Sequence, residues 1–145
     1  CPAEYFDLVL ACRVFINIPG WDQQKTAFKT AVGLGKGLIA IENFHEEQQI
    51  FERARELNGL PIIHIHPFNT YLHGYQVFRL AYDINAPITI SNFANAYYYA
   101  TRIAYAKQCQ FDHVEPCYTD IAHKSAVHLS EISSPNIAPM KLIVM

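Results

Sequence analysis

No stretch of this chain approaches the ~18 consecutive apolar residues that a bilayer-spanning helix requires, and no basic-then-apolar secretion signal opens it. Charge of one sign is not concentrated anywhere. Eleven Lys and Arg against 13 Asp and Glu give a net charge of −2, and the basic residues are scattered. That pattern excludes nucleic acid and membranes as expected partners. Four cysteines (Cys1, Cys12, Cys109, Cys117) are too few for a disulfide scaffold, so reduced thiols in the cytoplasm are expected, with Cys109–Cys117 the pairing open to an oxidising compartment. Nucleotide loops are missing as well. No P-loop is present, no Gly-x-Gly-x-x-Gly follows a strand-like run, and Gly33–Leu34–Gly35–Lys36–Gly37 precedes one. The chain starts at Cys1 and stops inside the apolar run Leu142–Met145, as a processed or excised chain would.

What is present is a recurring phrase. Ile16–Trp21, Ile39–Phe44, Ile63–Phe68 and Ile88–Phe93 each read Ile–x–Ile, two residues, then an aromatic, at spacings of 23, 24 and 25 residues; His113–Tyr118 is a worn fifth copy. The 145 residues, 51% of them hydrophobic and 17% charged, suit one globular domain over 1–145. Continuous apolar runs such as Leu38–Ile41 fit strands buried on both faces. Between them lie helical patterns at about 22–34, 46–58, 70–84 and 95–109. Such alternation predicts a three-layer, doubly wound α/β sandwich with a mainly parallel sheet built from ~24-residue βα units. A leucine-rich-repeat solenoid has a similar period but needs a leucine ladder that the chain lacks. Short strands are also expected at 114–115, 126–129 and 141–144.

In an open parallel sheet, ligands bind beyond the carboxyl ends of the strands. Residues two apart share a face, so Asn17, Glu42, His64, His66, Thr89 and Ser91 fall on one face near that edge. Two imidazoles and a carboxylate make a divalent-metal site of the zinc or iron type. The candidate ligands are His64, His66 and Glu42, with His73 or His45 as a fourth. The same three are the candidate catalytic residues of a small hydrolase or lyase; without metal, an imidazole beside Glu42 would shuttle the proton. Asn43, Asn69, Ser91 and Asn92 would bind a small polar or phosphorylated substrate. A nucleophilic Ser91 lacks the Gly-x-Ser-x-Gly elbow. Cys109, His113, Cys117 and His123 carry the ligand types of a structural zinc site at a spacing that matches no common module.

The stretch His64–Gly74 (HIHPFNTYLHG) resembles the His-x-His-Pro segment of the JAMM metalloproteases, with Glu42 upstream where that family has an acidic residue. The resemblance implies metal-dependent peptidase chemistry. His73 and Gln76 stand near the places of the family's downstream Ser and metal-binding Asp, and that departure removes part of the ligand set. Ile88–Ala100 (ITISNFANAYYYA) resembles the strand–Ser–helix step of donor-type glycosyltransferases, which implies a nucleotide or nucleotide-sugar ligand held at helix starts. A third alternative is an interaction domain that meets a partner, a second copy or an additional domain through Tyr97–Tyr99 and Tyr105.

Overall fold

A computed structural model of the chain describes residues 5–117, 124, 126 and 138–145. Cys1, Tyr118, His123 and the strand expected at 126–129, apart from Ala126, lie outside them. The chain divides into two compact units, one of Cys1–Glu46, Ile65–Phe93 and Met140–Met145, the other of Glu47–His64 and Ala94–Pro139.

The first unit is built on a four-stranded sheet of β1 (Val9–Cys12), β2 (Leu38–Asn43), β3 (Thr89–Asn92) and β4 (Met140–Val144), in the order β1-β2-β4-β3. β1 and β2 are parallel, whereas β4 runs antiparallel to both of its neighbours. The α/β class stands, but the sheet is mixed rather than mainly parallel. The reason is β4: it occupies the place beside β2 that a third parallel strand would have taken.

Alternation along the strands sorts the side chains. Val9, Ala11, Leu38, Ala40, Ile90 and Ile143 share one face. Upon it pack Phe28 of α1 (Trp21–Leu34) and Val77 and Leu80 of α3 (Gly74–Asp83). Phe28 stacks on Phe15 at 3.7 Å between ring centroids. The other face is less covered: Ile39, Ile41 and Leu142 are half-buried and Leu10 is 71% exposed. Gly20, at φ 78°, caps α1 in a conformation that favours glycine, without a side-chain cap.

In the second unit, α2 (His45–Leu57) contributes Phe51, which packs with Ile103 and with Ala54 and Tyr98. Ile103 lies in a π-helical stretch (Tyr99–Ala104) that joins α4 (Asn95–Tyr98) to α5 (Tyr105–Phe111). Ile62–His66, which overlaps the third copy of the phrase and is expected as a strand, forms none. Side chains from α2 take the carbonyls that a sheet neighbour would have paired. Gln48 Nε2 donates to Ile63 O at 2.9 Å and Arg55 Nε donates to Pro61 O at 2.7 Å. This explains why Gln48 and Arg55 are buried on an otherwise polar helix. Gly59, at φ 65°, follows the end of α2 in the left-handed conformation that glycine favours. Of the four tyrosines expected as a partner surface, Tyr97, Tyr98 and Tyr105 are half-buried and only Tyr99 is exposed.

No helix among the described residues is long and apolar enough to cross a membrane.

Candidate functional site

The carboxyl ends of β1 and β2 meet at Glu42, which is fully buried. Arg13 follows β1 in the left-handed region at φ 53°, and Val14 returns to the right-handed one. That pairing turns successive amides toward a common point, the geometry of an anion nest. Glu42 fills it. Its Oε1 accepts from Val14 N at 2.8 Å and Phe15 N at 3.0 Å, and its Oε2 accepts from Ile16 N at 3.3 Å. Burial raises the carboxyl pKa above its ordinary value, while the three amides and the Arg13 charge pull it back in part. Glu42 is therefore engaged as a structural acceptor of main-chain amides. The loop after β1, where a doubly wound fold would receive a phosphate, is filled from within.

The other expected residues scatter. Asn43 is buried, and among the described residues its Oδ1 has no hydrogen-bond partner. Asn92 accepts a hydrogen bond from Lys141 Nζ at 2.5 Å, and Lys141 is registered between Glu42 and Asn92 across the sheet. Ser91 is exposed and Asn69 is half-buried, its amide bonded to the His66 carbonyl. His66 is exposed and lies against Phe68, with ring centroids 5.0 Å apart; its Nδ1 accepts from Phe68 N at 3.4 Å. His64 is exposed and belongs to the second unit. Among the described residues no three His, Cys, Asp or Glu side chains converge to hold a metal ion. The expected metal set of His64, His66, Glu42 and His73 is not assembled, because Glu42 points into its nest and the two loop histidines turn to solvent.

A different group does form. Phe44 and Leu72, both buried, anchor the segments after β2 and before α3. Leu72 N donates to Asn43 O at 3.0 Å and His45 N donates to Leu72 O at 2.8 Å. This clasp brings the start of α2 to the start of α3. His73 Nδ1 lies 3.0 Å from Glu46 Oε1, and Gly74 N donates to Glu46 Oε2 at 3.5 Å. The His45 ring meets the His73 ring edge-on with centroids 5.0 Å apart. Burial acts to raise the Glu46 pKa, but its own amide, His73 and Gly74 outweigh that and hold it below the ordinary value. An ionised carboxylate only accepts hydrogen bonds, so His73 Nδ1 is the donor in this contact and Nε2 lies on the far side of the ring.

His73 was legible as a candidate and His45 as its alternative. Glu46 was not, because an acid in the first turn of a helix has a sufficient local reason to be there. Lys141, the lone charge in a terminal apolar run, was the unused signal for a polar position inside the sheet.

No protein-family model matches the chain, and no curated protein matches it. Among solved structures, the chain is similar to a cyclopropane-fatty-acyl-phospholipid synthase-like protein from Lactobacillus casei ATCC 334. Identity is 12%, the TM-score is 0.42, and the match covers 97% of this chain and 55% of that one. This chain thus spans about half of that neighbour's length. The expectation of a hydrolase or lyase built on His64, His66 and Glu42 is corrected. The carboxylate meant to serve the histidines is already bonded by three amides, and His64 and His66 lie exposed away from it.

Proposed function

We propose that the chain binds a small polar ligand at the carboxyl edge of a Rossmann-like sheet and exchanges a proton with it through His73. One observation supports this reading above the others: the 3.0 Å contact of His73 Nδ1 with Glu46 Oε1, which orients the imidazole and leaves Nε2 uncommitted. His73 Nε2 has no hydrogen-bond partner among the described residues. A ligand carrying an acidic O–H or N–H would donate its hydrogen bond there and pass its proton to the imidazole. The parallel pair β1–β2 supports placing the ligand at this edge.

Long-range proton–nitrogen NMR of His73 tests this. The Nδ1–H tautomer is expected in the native chain, with a shift toward Nε2–H in Glu46→Ala. The same change should cost only about 0.5–1 kcal/mol of stability, since the pair is partly exposed. A fragment set of small alcohols, amines and carboxylic acids should move the His73 and His45 signals first and lose that effect in His73→Ala. Fragment shifts confined to other residues, or an unprotonated Nδ1, would remove the proposal.

A further inference from the structure

A second concave site lies between α1 and α3, away from the sheet edge. It has a volume of about 270 Å³ and is lined by Trp21, Lys25, Tyr75, Gln76, Arg79, Leu80 and Asp83. Residues four apart on a helix share a face, which is why Trp21 and Lys25 come from one wall and Tyr75, Arg79 and Asp83 from the other. Charge is unevenly matched there. Asp83 is held by Arg79 Nε at 2.9 Å, whereas Lys25 Nζ reaches it only at 3.8 Å. Two cations against one carboxylate leave a single positive charge, and the long contact makes Lys25 the cation with donors to spare. Among the described residues the Gln76 side chain has no hydrogen-bond partner, so the cleft holds another donor without an acceptor. Trp21 and Tyr75 supply flat apolar walls.

We infer that this cleft binds a planar aromatic monocarboxylate. The carboxylate would take the Lys25 ammonium and the Gln76 amide, and the ring would lie against Trp21. Two features limit the class. A single uncompensated positive charge matches a monoanion and leaves a dianionic phosphate ester with excess charge. The volume lies below the ~300–1,000 Å³ of drug-sized sites, so one ring with its acid group is the scale of ligand that fits.

Trp21 is the single tryptophan of the chain, so its emission reports on this cleft alone. The 145-residue chain is titrated with para-nitrobenzoate, and with para-nitrobenzamide as the uncharged control. Saturable quenching is expected from the acid, and linear, collisional quenching from the amide. Lys25→Met should weaken the acid about fivefold or more. Asp83→Asn should tighten it, because the competing carboxylate is gone. Both side chains are partly exposed (35% and 30%), and unfolding curves check that each variant is native before titration. Linear quenching by both compounds, or saturable quenching that ignores Lys25→Met, or weaker binding in Asp83→Asn, overturns the inference.

Discussion

A chain cut after Pro139, and so lacking Met140–Met145, is expected to lose the cooperative unfolding transition of the first unit. β4 is registered with β2 at five positions and with β3 at four. At roughly 0.5–1.5 kcal/mol net for each backbone hydrogen bond, two such ladders are comparable with the whole stability of a small domain, about 5–15 kcal/mol. Ile143, fully buried in the core, adds a further ~1.5–3 kcal/mol on its own. Among the described residues no other strand joins β2 to β3. Urea unfolding followed by circular dichroism and by amide dispersion would show the loss. A truncated chain that still unfolds cooperatively, with the β1–β2 amides protected from exchange, would mean that the sheet closes some other way.

Glu42→Ala is expected to destabilise the chain by roughly 3–5 kcal/mol, the cost of three main-chain amides, two of them in buried contacts, left without their acceptor. The nest would then stand empty at a size suited to a small carboxylate. Added acetate should recover about 1 kcal/mol once its concentration is a few times its dissociation constant, while leaving the native chain unaffected. Rescue that is equal in both proteins would point to a general salt effect. A loss under 1 kcal/mol would show that the amides find other partners.

The pH dependence follows from the direction of the shift. The Glu42 pKa is raised in the folded chain above its ordinary value of 4.5. As pH climbs through that window the unfolded chain gives up its proton first, so stability from this group is full below 4.5 and falls as pH rises through the folded value. Glu46 works in the opposite sense. Its pKa is lowered, so its contribution is present above 4.5 and lost as pH falls through the folded value. The difference in stability between the native chain and Glu42→Gln should therefore move against the native chain as pH rises, and the Glu46→Gln comparison should move the other way.

How much of this could be read from the residues depended on how local the cause was. The run Leu38–Ile41 declared β2, and Gly59 declared the end of α2, because each carries its reason within a few positions. The strand at 141–144 was legible too, but not its direction, since its partners lie far back in the chain and no local pattern encodes an antiparallel insertion between β2 and β3. Ile62–His66 repeats the alternation of β2 and yet forms no strand. What separates them is Gln48 and Arg55, which satisfy the carbonyls of Ile63 and Pro61 from a helix. The site divides in the same way. Glu42 reads as a metal ligand or catalytic carboxylate, but its partners are main-chain amides at Val14–Ile16, and amides leave no signature in a sequence. His73 stood out as an imidazole, whereas its oriented state depends on Glu46, 27 positions away.

The strand order has a consequence for synthesis. A ribosome releases β1, β2 and β3 before β4, yet β4 is the one that sits between β2 and β3. Throughout that interval the inner edges of β2 and β3 are open, with Ile39, Ile41 and Ile90 beside them. Open apolar edges are where nascent chains stick to one another. This fold should therefore depend on a holdase while it is being made, and a pause in translation shortly before Met140 should raise the fraction that aggregates.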